Sequence, residues 1–178
     1  KLYAALSTAM APPKWEGMRA NSAPNGPLRG GLLEIAPPND SARVIAGGLR
    51  TPNTVAQGPN EDLFYADNQG TWFPTSVLSH LEPGRFYGHF NNTNVVPNLA
   101  ERYPDGGHPS AFADQLRSRP VVYLPQNEFI NSPSKPLLIE DGPFVGQMFL
   151  GEITSGGIRR VIVGKVKGQR PGGAIRFK

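Results

Sequence analysis

The hydrophobic positions of the chain fall into short runs, rich in β-branched and aromatic side chains and bounded by Gly, Pro, Asn or Asp. Runs of this kind are typical of β-strands. Only residues 110–117 have the spacing of a helical turn or two, with Ser110 at the N-cap position. The pattern predicts ten strands, at residues 2–6, 32–36, 43–46, 53–56, 63–67, 77–81, 121–124, 148–152, 158–163 and 174–177.

A weak internal repeat appears when these strands are aligned by type. A strand with an aromatic residue at its second or third position is followed by a second strand, and this pair occurs about three times. Repeated meanders of this size indicate β-propeller blades, which bury their faces against neighbouring blades. A jelly roll or a small closed sandwich is the alternative architecture. The pairs are 2–5 with 32–35, 63–66 with 77–80, and 148–151 with 158–161.

Composition supports an all-β class. The 178 residues include 21 Gly and 19 Pro, about 22% of the chain, against a usual share of roughly 12%. Both residues are costly inside helices and useful in turns. The hydrophobic share of 38% is enough for a core, and the length predicts one domain. Cysteine is absent, which excludes disulfides and thiolate metal sites.

The charge balance does not indicate a nucleic-acid partner. The formal net charge is +4, and the densest basic stretch runs from Arg159 and Arg160 to Arg170. Its cations alternate with valines, so we expect them on the solvated face of strands rather than in a phosphate-binding patch. No apolar run approaches the roughly 20 residues needed to cross a bilayer, so we expect no membrane partner either.

Several ordered motifs make the propeller prediction more specific. They include Gly47-Gly48-Leu49-Arg50-Thr51-Pro52-Asn53 and, further on, residues 58–70, 81–89, 124–125, 131–134 and 142–152. Together they resemble the six-bladed propellers of the glucose and sorbosone dehydrogenase family. The resemblance is closest to dehydrogenase propellers of large secreted bacterial proteins. It implies a secreted or periplasmic protein.

The resemblance implies an incomplete ring, because a six-bladed ring of this family is roughly twice this length. It predicts one partial propeller domain over 1–178, with blades at 1–46, 47–96 and 119–178 and an inter-blade insertion at 97–118. Three blades would leave apolar sheet faces open to water. We therefore expect the remaining blades or a second chain to cover them near Tyr3, Phe149 and Phe177.

Arg50 is the candidate cofactor residue. It matches an Arg that binds a carboxylate of pyrroloquinoline quinone in the quinone-dependent members, and guanidinium presents a fork of donors suited to planar oxyanions. The following residue, Asn in many of those proteins, is Thr51 here. The alternative is that Arg50 closes an inter-blade turn by binding carbonyl groups.

Asp67, Asn68 and Gly70 are the candidate metal residues, in a loop that follows a predicted strand. Carboxylate and carbonyl oxygens of such loops can hold Ca²⁺. The acidic pair that the family carries a few residues later is replaced by Thr75 and Ser76. The alternative is a turn in which Asp67 and Asn68 bind nearby backbone N–H groups.

Tyr123 is the candidate substrate residue, expected to contact a sugar or another small polar molecule. The family resemblance places an aromatic sugar contact on its strand, because aromatic faces stack on sugar C–H groups. Leu124 stands where a Trp is often found, so core packing of Tyr123 is the alternative. A cofactor-contacting Lys of the family is also absent near Thr154 and Ser155.

No histidine of the chain matches the family's catalytic base, which the resemblance places in a blade before Lys1. His80 is expected on a strand face and His108 in a loop, whereas His89 follows Phe86 and Tyr87, whose rings are expected to pack between blades. The sequence therefore predicts part of a quinoprotein-like sugar or aldehyde dehydrogenase that is inactive as this chain alone. The alternative is a non-catalytic propeller that serves as a binding or assembly module.

Overall fold

The protein chain forms three antiparallel β-sheets in a computed structural model that describes residues 2–7, 28–36, 41–70, 74–89 and 116–177. Every element that lies wholly within these residues is a strand, apart from a 3-10 turn at Pro59–Glu61. The predicted all-β class is therefore confirmed. The strands are β1 (Leu2–Ala5), β2 (Gly31–Ala36), β3 (Ser41–Gly47), β4 (Val55–Gln57), β5 (Leu63–Asp67), β6 (Ser76–Leu81), β7 (Val122–Leu124), β8 (Leu137–Leu138), β9 (Met148–Gly151), β10 (Ile158–Val163) and β11 (Gly172–Phe177).

Each sheet is a meander in which strands adjacent in sequence are neighbours. The first sheet has the order β1-β2-β3, the second β4-β5-β6-β7, and the third β8-β9-β10-β11. The three predicted strand pairs are antiparallel neighbours, β1 with β2, β5 with β6, and β9 with β10. This arrangement of small repeated sheets is consistent with propeller blades.

The strand after the long insertion belongs to a different sheet from the one expected. The predicted blade 119–178 included residues 121–124, but β7 pairs with β6 of the second sheet, with Tyr123 opposite Val77. A strand of three residues has little pairing preference of its own, so long-range packing decides its partner. The predicted helical turn at 110–117 lies outside the described residues except for its last two. β8 was not predicted, because two residues are too few to show an alternation of apolar and polar positions.

The chain divides into two compact units. The first comprises residues 1–51, 70–74 and 82–118, and includes the first sheet. The second comprises 52–69, 75–81 and 119–178, and includes the second and third sheets. In that unit the two sheets share one core of buried side chains, which are Phe64, Ala66, Leu78, Val121, Leu124, Ile130, Met148, Leu150 and Val161.

Two arginines of the basic stretch lie inside the second unit, so their expected place on a solvated face is wrong. Arg159 alternates with the outward-facing Ile158 and Arg160, and its Nε donates to the carbonyl oxygen of Phe129 at 2.7 Å. Arg170 is buried beside Asp62, to which its guanidinium donates. A buried guanidinium needs such partners, because desolvation of the bare charge is costly.

In the described parts of the chain, no helix is long and apolar enough to span a bilayer.

Candidate functional site

Arg50 follows a short ladder of backbone hydrogen bonds in the first unit. The N–H of Gly47 donates to the carbonyl oxygen of Arg85 at 3.1 Å, and the N–H of Tyr87 donates to that of Gly47 at 2.8 Å. The N–H of His89 donates to the carbonyl oxygen of Gly48 at 2.9 Å. Two backbone segments, 47–49 and 85–89, therefore run side by side. Their pairing brings His89 next to the start of the loop that carries Arg50.

Gly48 allows this close approach. Its φ is +80°, a left-handed conformation that residues with a side chain rarely adopt. A Cβ at this position would lie 2.6 Å from two ring carbons of Phe86 and 2.8 Å from the backbone nitrogen of Tyr87. The two segments can pair only because residue 48 has no side chain.

Arg50, Gly70 and His89 meet in one place. A Cβ built on Gly70 would lie 2.6 Å from Cδ of Arg50, 3.0 Å from its Nε and 3.3 Å from Cε1 of the His89 imidazole. His89 is buried and Arg50 is partly buried. The arginine stem and the imidazole thus pack on the same side of the Gly70 backbone, in a space that a side chain at residue 70 would fill.

The segment that carries His89 is held by a buried phenol. The hydroxyl of Tyr87 accepts a hydrogen bond from the N–H of Glu82 at 2.8 Å. Burial raises the pKa of Tyr87 well above its usual value, and the neighbouring Glu82 carboxylate acts in the same direction. Tyr87 is therefore a neutral structural anchor at any pH the protein would meet.

Asp67 is the last residue of β5, and Asn68 follows it directly. The carboxylate of Asp67 is buried, and its Oδ1 accepts a hydrogen bond from the N–H of Asn68 at 2.9 Å. The side chain of Gln69 accepts one from the hydroxyl of Ser76 at 2.9 Å. The Asp67 side chain thus binds a nearby backbone N–H, as in the alternative that the sequence left open.

The described residues fit a calcium ion poorly. Ca²⁺ takes six to eight oxygen ligands, with carboxylates prominent among them. Asp67 is the one carboxylate of the candidate loop, and one of its oxygens already accepts the Asn68 N–H. Within the described ranges, no three His, Cys, Asp or Glu side chains are grouped so that they could hold a metal. Metal binding by Asp67, Asn68 and Gly70 stays a prediction.

Tyr123 lies on β7, the strand of the second sheet farthest from β4. It pairs with Val77, which pairs in turn with Asp67, so the three residues share one rung and one face of the sheet. The Tyr123 side chain is 48% exposed. The alternative of core packing is therefore wrong, and a sugar contact stays a prediction.

Thr154 and Ser155 stabilise a turn. They lie near the position where the resemblance places a cofactor-contacting Lys, which this chain lacks. Both of their N–H groups donate to the Glu152 carboxylate, at 2.8 Å and 2.6 Å, and so does the Ser155 hydroxyl. These hydrogen bonds lower the pKa of Glu152 to about 2. The Glu152 carboxylate therefore stabilises the turn between β9 and β10.

The structure brings together some of the predicted site residues and leaves others apart. Arg50 and Gly70 are neighbours in the first unit, whereas Asp67, Asn68 and Tyr123 belong to the second unit. His89 is the neighbour of Arg50 that the sequence reasoning missed, since only the aromatic residues before it were singled out for packing. The signal in the sequence was weak: one imidazole directly after Gly88, with no spacing that links it to Arg50.

A partly buried ion pair was also missed. Asp62 receives hydrogen bonds from the guanidinium of Arg170, and His80 Nε2 lies 3.8 Å from its other carboxylate oxygen. The Asp62 and Arg170 positions are 108 residues apart in the chain. No local pattern could have paired them.

Comparison with known proteins identifies the fold but not a family. No family model and no curated protein matches the sequence. A similar solved structure is that of a Thermus thermophilus protein named as a candidate oxidoreductase (glucose dehydrogenase), with a TM-score of 0.54 and 17% identity. The similarity covers 84% of this chain and 43% of that chain, so this chain spans less than half of its neighbour. A glucose dehydrogenase-like fold is thereby supported.

Proposed function

We propose that the chain is part of a secreted or periplasmic quinoprotein-like dehydrogenase of sugars or aldehydes, and that Arg50 is its contact to pyrroloquinoline quinone. When bound, this quinone supplies the electron acceptor for oxidation of a hydroxyl or aldehyde group. Arg50 would bind one of its carboxylates through the guanidinium fork. The chain by itself is expected to be inactive, because the family's catalytic His has no counterpart among its residues.

One observation supports this proposal above all others. Arg50 stands beside a glycine whose missing side chain leaves room for the arginine stem, and a buried imidazole lies on the same side. The likeness of the fold to that of a candidate glucose dehydrogenase supports the same class.

The test is a titration of the chain with pyrroloquinoline quinone and Ca²⁺, followed by absorbance. We expect weak binding, with a dissociation constant closer to about 1 mM than to about 1 µM. The reason is that Arg50 is retained, whereas the Asn that follows it in many quinoproteins, the cofactor-contacting Lys and the acidic pair are not. Arg50→Ala should abolish it. Arg29→Ala is the matched control, since Arg29 is an exposed arginine of the same unit.

Each outcome of this titration decides the proposal. Absence of binding to the unaltered chain, or binding that Arg50→Ala leaves unchanged, contradicts it. Micromolar binding that disappears in Arg50→Ala would mean that the cofactor site is more complete than expected. The chain should then be assayed for oxidation of sugars and aldehydes.

A second candidate function, a non-catalytic assembly module, is favoured by the outer face of the third sheet. Five of its large apolar side chains are 37–57% exposed, which is unusual for a sheet face of a soluble domain. Phe144, Phe149 and Phe177 form an aromatic cluster there, with ring centroids 5.2–5.8 Å apart. The exposed members of the face are Leu137, Ile158, Ile162, Ile175 and Phe177.

We propose that another blade of the same ring covers this face, supplied by the remaining propeller or by a second chain. Sedimentation of the purified 178-residue chain tests this: association or aggregation is expected, and Ile162→Lys with Ile175→Lys should reduce it. Ile153→Lys is the control, because Ile153 is 62% exposed in a turn outside the strands. A stable, dilute monomer with a cooperative melt would contradict the proposal.

A further inference from the structure

We infer that Gly70 and His89 are positioning residues for Arg50, which hold the aliphatic stem so that its guanidinium keeps one orientation toward an anionic ligand. The identity of that ligand rests on the proposed function. The geometry of the three residues does not. Neither positioning residue needs to touch the ligand.

Gly70 acts by leaving space. Its φ is not in the left-handed region, so the backbone conformation alone would accept other residues. The constraint comes from packing, because a Cβ would meet Cδ of Arg50 at 2.6 Å and Nε at 3.0 Å. Real Cβ atoms do not approach so closely. Any side chain at residue 70 must therefore displace the arginine stem.

His89 lies on the same side of the Gly70 backbone as the Arg50 stem. Its Cε1 lies 3.3 Å from the same Cβ position, and the imidazole is 3% exposed. The ladder between 47–49 and 85–89 fixes its backbone through the hydrogen bond to Gly48. A buried ring on an anchored backbone thus lies near the Arg50 stem at Gly70, and we infer that it restricts the movement of that stem.

Orientation matters for guanidinium more than for a simple cation. Its donors form a planar fork, and two parallel N–H bonds to a carboxylate require that plane to be aligned. A misplacement of about 1 Å in a positioned group can cost as much as about a hundredfold. Residues that fix the stem therefore contribute to affinity without making a contact of their own.

The first experiment measures the reactivity of Arg50 without any quinone. Phenylglyoxal modifies accessible guanidinium groups, and peptide mass spectrometry gives a rate for each arginine of the folded chain. In the unaltered chain, Arg50 should react more slowly than the exposed Arg29. Gly70→Ala and His89→Ala should each raise the Arg50 rate several-fold and leave the Arg29 rate unchanged. Gly173→Ala is the control, since a Cβ there meets nothing within 4 Å.

Three results would overturn the inference. Equal rates for Arg50 and Arg29 in the unaltered chain would show that the stem is not held. An Arg50 rate that neither variant alters, in chains with native melting, would show that the two residues do not position it. A rise of the same size in Gly173→Ala would mean that any added methyl group loosens the chain. If Gly70→Ala does not fold, the unaltered chain and His89→Ala still decide.

A second experiment separates this inference from the proposed function. Quinone affinity is measured for the unaltered chain, Gly70→Ala, Arg50→Ala and the double variant. Gly70→Ala should weaken binding by about tenfold or more and have no further effect once Arg50 is removed. If no form binds quinone but the modification rates change, positioning stands and the proposed function fails. If quinone binds equally with and without the alanine at residue 70, positioning fails and the proposed function stands.

Discussion

Gly172 and Gly173 are adjacent residues of β11. Substitution by alanine should lower the free energy of unfolding at Gly172 but not at Gly173. The N–H of Gly172 donates to the carbonyl oxygen of Val121 at 2.9 Å, which ties the third sheet to the second within one unit. A Cβ on Gly172 would lie 2.6 Å from Cγ1 of Val121 and 3.0 Å from the carbonyl oxygen of Ile162. A Cβ on Gly173 meets nothing within 4 Å.

The magnitude follows from two opposing effects. Forcing an extra methyl group into packed surroundings costs about 1–3 kcal/mol, and Val121 has a stiff β-branched side chain inside the core. Replacing glycine by alanine also stabilises by about 0.4–1 kcal/mol through the unfolded chain. This second effect is common to both variants. The difference between their free energies of unfolding should therefore report the clash alone, about 1–3 kcal/mol in favour of Gly173→Ala.

Urea denaturation of the chain and both variants provides the measurement. We expect Gly172→Ala to have a lower midpoint, and Gly173→Ala an equal or slightly higher one, with unchanged slopes. Shortening Val121 to Ala should remove part of the penalty of Gly172→Ala, because that substitution deletes Cγ1. The reasoning is refuted if the two variants unfold within about 0.5 kcal/mol of each other, or if their effects and that of Val121→Ala add without coupling.

Two further predictions concern charge and backbone strain. Because its pKa falls from 4.5 to about 2 on folding, Glu152 should stabilise the chain above pH 4.5 and lose that contribution as the pH falls toward 2. Glu152→Gln should therefore be less stable than the unaltered chain near neutral pH, by about 1.5–3 kcal/mol, and equally stable near pH 2; a constant difference in thermal melts across this range would contradict the assignment. Gly84→Ala should cost about 1–2 kcal/mol through its positive φ alone, whereas Gly48→Ala should cost more, since its Cβ also meets an aromatic ring. Equal loss of stability in calorimetry would show that the ring moves aside freely.

Much of the candidate site was visible in single motifs. Arg50 and Gly70 were singled out from the residues around them, and the structure places them side by side. Gly70 was chosen for a different role, as a metal residue. His89 was not chosen, because its position beside Arg50 depends on the ladder between 47–49 and 85–89. Backbone pairing across nearly forty residues leaves no periodic trace in a sequence.

The sequence by itself determined where the strands are and how consecutive strands pair within a repeat. All ten predicted segments contain strand, and β5 and β10 have the predicted bounds. Local alternation, β-branched residues and flanking Gly or Pro act within a few residues, and short connections favour antiparallel neighbours. These preferences need no information from distant parts of the chain.

Tertiary structure alone decided which distant segments meet. β7 joined the second sheet across a long insertion, and Arg170 became buried against Asp62 although its neighbours suggested a solvated strand face. Three residues of strand, or one charged side chain, can be accommodated in several places with similar local energy. The choice is made by the shared core of the second and third sheets and by the need to pair a buried charge. Both are properties of the folded chain as a whole, so no stretch of sequence contains them.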